Sequence, residues 1–425
     1  MNKKELIEFN NKLLYKPPNK IIFADDTASG RPCKFIDKQI TKMILPYYSN
    51  THSNAFCGIY MKNLLNETRK YIRQEFNLKP FHKIFFSGNG CTGAINHLAN
   101  SIDYKLYKKV NIYITKYEHY SNQLPWNEQA NLYNNTKVII FEDSNDIKLE
   151  TGTDILNIFT INGCSNVTGC VYDLTNIKRL RKGKLNTYLL VDYACSAPYI
   201  KINLDDLDGV YISMHKFLGG HSTPGLLIAN EKLFQKKNPY TCGGGCVKKS
   251  NSTEIIYETD LEKKESAGTP NIVGIIKILY ILKLKNKLMN TILHNEHIIS
   301  EYVYERFKTF KHKYNIIVIG GTNCVQRLPI VSFAIYGAHY NFIVVLLNDL
   351  FGIQSRGGLS CCGLLSEYIK EKYNIDGWCR ITFNYMMDYK TIDYILNSVE
   401  FVIKNHKKYT NLYIYDKKDN LYIAK

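Results

Sequence analysis

From about residue 84 onward, short runs of β-branched and aromatic residues alternate with longer stretches whose apolar positions recur at helical spacing. The runs Lys83–Ser87, Val110–Thr115, Val138–Phe141, Leu156–Ile161, Tyr188–Asp192, Gly209–Ser213 and Gly225–Ala229 predict seven strands. Their rhythm is that of an α/β domain built on a mostly parallel sheet covered by helices. In such sheets ligands sit beyond the carboxyl ends of the strands, where loops carry the polar groups. After Gly268-Thr269-Pro270 the pattern changes to a long helix, Asn271 to about Phe310, apolar all round in its first half and so deeply buried. Strands at Ile316–Ile319, Val331–Ile335 and Trp378–Phe383, with helices near Asn341–Phe351, Leu364–Lys372 and Thr391–Lys404, predict a smaller α+β domain. The expected division is an N-terminal arm over residues 1–20, a large domain over 21–285 and a small domain over 286–425. No internal repeat interrupts this plan.

Composition narrows the choice of partner. The net charge of +17, from 55 Lys+Arg against 38 Asp+Glu, would suit nucleic acid, an anionic membrane or an anionic substrate. The lysines, however, are scattered in ones and twos among abundant Asn, Ile and Tyr, as an A/T-biased coding sequence produces. With neither a basic stripe nor an aromatic platform, no nucleic-acid partner is expected. Twelve cysteines without a regular framework of spacings fit a reducing, cytoplasmic compartment. Cys242 and Cys246 have no second pair at zinc-ligand spacing, so no metal is expected. Met1–Asn10 lacks the apolar core of a signal peptide. Ile272–Leu284 is broken by Lys277 and Lys283, and Phe342–Leu347 is far shorter than the roughly 20 residues of a membrane span.

The chemistry concentrates at two strand ends. Asp192 closes the run Val191-Asp192-Tyr193-Ala194, and about twenty residues later Lys216 leaves the next strand in Ser213-Met214-His215-Lys216-Phe217-Leu218-Gly219-Gly220. A lysine there suits imine formation with an aldehyde cofactor, while the carboxylate pairs with a protonated ring nitrogen; pyridoxal phosphate needs both. Upstream, Ser87-Gly88-Asn89-Gly90-Cys91-Thr92-Gly93 has the small residues of a strand-to-helix turn. Backbone amides and a helix N-terminus can approach a phosphate there, with the Thr92 hydroxyl beside them.

Together these segments resemble the class V aminotransferase and NifS-like cysteine desulfurase family of fold type I pyridoxal-phosphate enzymes. The likeness runs from Phe23-Ala24-Asp25-Asp26-Thr27-Ala28 through Asn50-Thr51-His52-Ser53-Asn54 to Trp378-Cys379-Arg380. It implies a pyridoxal 5'-phosphate imine on Lys216, with Gly90, Cys91, Thr92, Ser213 and His215 around the phosphate. It implies His119 stacked on the ring and handling protons, Asn166 donating to the ring hydroxyl oxygen and Asp192 on the ring nitrogen. Thr269, in Gly268-Thr269-Pro270, resembles the segment that reaches a neighbouring subunit's phosphate site, which implies a homodimer. Arg380, and with it Arg356, would grip a substrate carboxylate by a planar fork.

The resemblance further implies a desulfurase nucleophile in the small domain. Cys361, five residues after Arg356, stands where one branch of the family carries it, and Cys362 is adjacent. The implied reaction turns L-cysteine into L-alanine and leaves the sulfur on the enzyme as a persulfide, for which a sulfur-acceptor protein is a further partner. Transamination, selenocysteine or kynureninase-like cleavage, and a non-catalytic scaffold remain alternatives. Three positions depart from the family pattern. Cys195 replaces a common glutamine, Asp26 a common asparagine, and Cys91 a more typical threonine or alanine.

Overall fold

The computed structural model describes residues 12–15, 17, 20–320 and 326–425. Most of the N-terminal arm expected over 1–20 therefore lies outside the described residues. The chain forms two compact units that are discontinuous in sequence. Among the described residues, one comprises Gly30–Gly163 and Tyr172–Lys287; the other gathers those up to Ser29, the excursion Cys164–Val171, and those from Leu288 to Lys425. This differs from a single cut near residue 285 for a physical reason. Ile22–Phe23 pairs in parallel with Ile353–Gln354, and Cys170 bridges to Arg327, so both segments are fastened by backbone hydrogen bonds to the C-terminal part of the chain.

The first unit is built on a seven-stranded sheet: β1 (His82–Ser87), β2 (Lys109–Thr115), β3 (Thr136–Phe141), β4 (Ile155–Asn162), β5 (Thr187–Asp192), β6 (Gly209–Ser213) and β7 (Gly225–Asn230). Their order across the sheet is β1-β7-β6-β5-β4-β2-β3. All seven predicted strands are present. Every residue of β5, β6 and β7 is buried, which explains why their interiors read as continuous apolar runs rather than alternating ones. Only β7 runs antiparallel to its neighbours, with Ser213 opposite Gly225. An antiparallel return needs no crossover helix, so residues 214–224 fold back as a loop at the carboxyl end of β6. Two helices of this unit bear on the site, α1 (Phe56–Glu75) and α2 (Gly90–Ser101), the latter starting three residues after β1.

The long helix α3 (Ile272–Tyr314) extends the predicted one by a turn and contains the boundary between the units. In the second unit, β8 (Ile317–Val318), β9 (Ile330–Ala334), β10 (Arg356–Gly358) and β11 (Trp378–Thr382) form an antiparallel sheet of order β8-β9-β11-β10. Helices α4 (Tyr340–Phe351), α5 (Gly363–Tyr373) and α6 (Tyr389–Tyr409) accompany it. Its core joins Phe307 and Phe310 of α3, Phe333 of β9, Leu346 of α4, Ile381 of β11 and Val399 of α6. A C-terminal hairpin, Tyr413–Asp416 with Leu421–Ala424, was not anticipated from sequence. Among the described residues, no helix is long and apolar enough to cross a membrane.

Candidate active site

At the carboxyl ends of the first unit's strands, the predicted residues converge. Ser213 ends β6, and Met214–Lys216 forms a single tight turn directly after it. The Ser213 hydroxyl accepts the Cys91 backbone N–H at 2.8 Å, joining the first turn of α2 to the Lys216 turn. Gly90 stands at this junction with a left-handed φ of 58°, and a Cβ there would meet Ser213 Oγ at 2.8 Å and His215 Nε2 at 3.1 Å. Only glycine leaves this space open. Burial, reinforced by the Lys216 charge, pushes the His215 imidazole below its usual range, so it is held neutral.

Asp192 ends β5 and is 3% exposed. Burial raises its carboxyl; opposing this, the Ala194 N–H donates to Oδ1 at 2.8 Å, and the Lys216 charge and the Cys91 thiol also stabilise the carboxylate. The thiol in turn is raised well above its usual range by burial and by Asp192. A buried carboxylate, a nearby amine and a helix N-terminus beside an open glycine are the donor set that a phosphorylated, cationic-ring aldehyde requires. These residues fit pyridoxal phosphate.

His119 precedes the turn Tyr120–Asn122, and its Nδ1 accepts the Ser121 N–H at 3.1 Å, which leaves the proton of the neutral ring on Nε2. Ser121 Oγ lies 3.0 Å from the same Nδ1 and 2.6 Å from Thr92 Oγ1, linking the His119 turn to α2. Thr269 Oγ1 accepts from Asn50 Nδ2 at 3.2 Å within the same unit.

Sequence reasoning missed Glu118. Its side chain is fully buried and accepts from Thr115 Oγ1 at 2.7 Å, Asn162 N at 3.0 Å and Asn122 Nδ2 at 2.7 Å. It thereby ties the ends of β2 and β4 to the turn that carries His119. Burial pushes its carboxyl from 4.5 up to about 7 despite these donors. A glutamate immediately after an apolar strand, next to the candidate histidine, was the available signal.

The second unit holds the remaining predicted residues. Arg380, on β11, is 2% exposed; its Nη2 donates to Asp25 Oδ1 at 2.6 Å and its Nη1 to the Asn166 carbonyl at 3.2 Å. Its Nε is buried without a hydrogen-bond partner among the described residues. Arg356 lies directly opposite Arg380 in the β10/β11 register and is exposed. Asn166, buried in the Cys164–Val171 excursion, donates to the Ser360 carbonyl at 2.9 Å and accepts from the Cys362 thiol at 3.1 Å. Cys361, partly exposed, sits between those two residues. Asp25 as the partner of Arg380 was not foreseen from sequence.

Cys242 is exposed, with its sulfur 3.5 Å from the Tyr257 hydroxyl, whereas Cys246 is buried and donates to the Gly243 carbonyl at 3.0 Å. Among the described residues, no group of three or more His, Cys, Asp or Glu is arranged to hold a metal.

The chain is 29% identical over 398 residues to a probable cysteine desulfurase of Borreliella burgdorferi, covering 90% of this chain and 92% of that protein. It is 25% identical over 395 residues to a probable cysteine desulfurase of Staphylococcus aureus, with 90% and 92% covered. Among solved structures, an apo cysteine desulfurase of Thermococcus onnurineus superposes with a TM-score of 0.79 at 20% identity, covering 95% of this chain and 99% of that one. A cysteine desulfurase of Escherichia coli superposes with a TM-score of 0.78 at 19% identity, covering 94% and 98%. These likenesses establish the fold as that of the type I pyridoxal-phosphate enzymes. Residues 22–395 match the model of the class V aminotransferases, and the chain belongs to that family.

Proposed function

We infer that this protein is a pyridoxal-phosphate enzyme that converts L-cysteine to L-alanine and takes the released sulfur onto Cys361 as a persulfide. The observation that carries the reading is the convergence on the Lys216 turn of a buried carboxylate, Asp192, and the glycine-opened N-terminus of α2. When bound, pyridoxal phosphate supplies an electron sink for negative charge developing on the substrate carbons.

The chain's residues divide the remaining work. Backbone amides at the start of α2, with Thr92, Ser213 and His215, hold the phosphate, while Thr269 belongs to the segment that serves a neighbouring subunit. Asp192 keeps a proton on the ring nitrogen. Lys216 Nζ would hold the cofactor, and the same amine is placed to take the proton from the substrate Cα. Nε2 of His119, fixed in its protonated form by the Ser121 N–H, manages protons beside the ring. Asn166 serves the ring hydroxyl oxygen. Arg380, whose unpaired Nε supports a waiting anion, grips the substrate carboxylate with help from Arg356. The Cys361 thiolate attacks the substrate sulfur. An S–S bond forms as the Cβ–S bond breaks, the bonding pair stays with Cβ, and protonation at Cβ followed by return of the proton from Lys216 to Cα yields alanine.

A homodimer is part of the same proposal. It is supported by an exposed aromatic group at the start of α1, where Phe56 is 71% and Tyr48 56% exposed and Tyr47 packs on Phe56 and Tyr60. The persulfide requires a thiol-bearing acceptor, and keeping such thiols reduced suits the cytoplasm.

Incubation with L-cysteine tests the reading. With a thiol reductant added to release the persulfide sulfur, alanine and sulfide should appear in equal amounts; without it, added mass should remain on the Cys361 peptide. Lys216→Ala should lose the cofactor mass that borohydride otherwise traps on the chain. Cys361→Ser should keep that mass and lose sulfide release; sulfide at the original rate from this variant would refute the nucleophile assignment.

A further inference from the structure

The loop between β10 and α5 holds Cys361 in a conformation that its own sequence does not favour. Ser360 and Cys361 are consecutive left-handed residues, with φ of 52° and 56°, and neither is glycine or asparagine. An L-residue in this region places Cβ against its own carbonyl, so two in succession persist only where surrounding contacts impose them.

Those contacts are specific and buried. The Ser360 carbonyl accepts from Asn166 Nδ2 at 2.9 Å, and the Ser360 hydroxyl accepts from Trp378 Nε1 at 3.1 Å. On the other side of Cys361, the Cys362 thiol donates to Asn166 Oδ1 at 3.1 Å, and the Cys362 backbone N–H reaches the Leu359 carbonyl at 3.2 Å. Cys362 is 0%, Trp378 1%, Asn166 6% and Ser360 7% exposed, whereas Cys361 between them is partly open. One amide side chain thus clasps the residues before and after the nucleophile, with one of its two N–H donors on one and its carbonyl oxygen on the other. Asn166 is itself fixed, because Arg380 Nη1 donates to its carbonyl and Ser332 Oγ to the carbonyl of Val167 at 2.7 Å.

We propose that Cys362 is a positioning residue for Cys361. Its thiol, bonded to the Asn166 side chain, closes a clasp that keeps the Cys361 loop in its left-handed turn with the Cys361 sulfur at a fixed place. The second cysteine of the pair accepts no sulfur and contributes geometry alone. This rests on the reading of Cys361 as the nucleophile. The clasp nevertheless has a readout independent of turnover, the accessibility of Cys361 to a small alkylating reagent.

The experiment compares the full-length wild type with Cys362→Ala, which removes the donor, and Cys362→Ser, which replaces it with a hydroxyl. Alkylation by iodoacetamide is followed on the Cys361 peptide by mass spectrometry. Sulfide release is measured in parallel across L-cysteine concentrations. Cys362→Ala should alkylate at Cys361 several-fold faster, and kcat should fall about 10- to 100-fold with KM and bound cofactor unchanged, as loss of orientation without loss of binding requires. Cys362→Ser should restore both towards wild type, an outcome that mere filling of a buried volume would not produce. Trp378→Phe, which keeps an aromatic ring but loses the bond to Ser360, should also speed alkylation and serves if Cys362→Ala does not fold. Wild-type alkylation rates in both Cys362→Ala and Trp378→Phe would overturn the clasp. An absence of sulfide release from wild type, with faster alkylation in the variants, would instead overturn the desulfurase reading and leave the clasp standing.

Discussion

Replacing Glu118 by glutamine should flatten the pH dependence of stability between pH 5 and 7.5. The glutamate is fully buried, and its carboxyl rises from 4.5 in the unfolded chain to about 7 in the folded one. Between those values the folded state binds more protons than the unfolded state, so stability falls as pH rises from 4.5 towards 7 and is lowest once the group is ionised in both states. A rise of about 2.5 pH units, at about 1.4 kcal/mol per unit, amounts to about 3 kcal/mol. That is a large fraction of a typical total of about 5–15 kcal/mol. The three donors around the carboxylate, from Thr115, Asn122 and Asn162, already oppose the rise, so the remainder measures desolvation together with the repulsion of Asp192. The assay is urea unfolding of the cofactor-free protein at half-unit pH intervals. Across this window the stability of Glu118→Gln should fall by at least about 2 kcal/mol less, or rise by that much more, than that of wild type. The absolute stability of the variant is a separate matter, because the glutamine amide would face the Asn122 donor. Superimposable slopes for the two proteins would refute the reasoning.

Two further outcomes follow from other buried groups. Lys285 on α3 is almost wholly enclosed, with its ammonium on the Ile200 carbonyl at 2.7 Å, and burial lowers it from 10.5 to about 8. Below pH 8 the folded state carries the full cost of the buried charge, so Lys285→Met should stabilise at pH 7 by about 1–3 kcal/mol in urea unfolding, with the gain shrinking as pH rises from 8 to 10. Arg380→Lys should raise KM for L-cysteine about 10- to 100-fold, the equivalent of one or two charged hydrogen bonds, while the trapped cofactor mass stays the same by mass spectrometry.

The fold was legible where burial on both faces of a strand left an apolar run in its middle, as in β5, β6 and β7. It was not legible where strands are too short for a pattern. Ile353–Gln354 and Arg356–Gly358 hold two and three residues, and the second contains two glycines. Helix α1 went unread because few of its twenty residues, among them Gly58, Met61, Thr68 and Ile72, are buried, too sparse a stripe to stand out. The same distinction governs the site. Lys216, Asp192 and the Gly90 turn lie at the ends of strongly patterned strands, and the chemistry of each residue type pointed to its place. Asp25 and Arg380 are separated by 355 positions, and nothing local to either announces the pair. The left-handed turn at Ser360 and Cys361 was equally hidden, because it is imposed by Asn166 and Trp378 and not by a glycine that a reader could have seen.

Two of the three departures from the family pattern acquire physical content from their neighbours. Asp26 accepts from Asn384 Nδ2 at 2.6 Å and is 5% exposed, so the carboxylate that replaces a common amide is supplied with a donor from the same unit. Cys91 supplies Asp192 with a weak donor, and burial and that carboxylate raise its own thiol well above the usual range. An alanine at this position would offer no such donor, and a threonine hydroxyl would offer a stronger one. Cys195 is buried, at 4% exposure. The departures at 26 and 91 therefore alter hydrogen bonding around two carboxylates and leave the backbone that carries Lys216 in place. Variation of this kind adjusts the electrostatics of a site before it touches the scaffold, because a side-chain donor can be exchanged locally whereas a side chain at Gly90 would crowd Ser213 and His215.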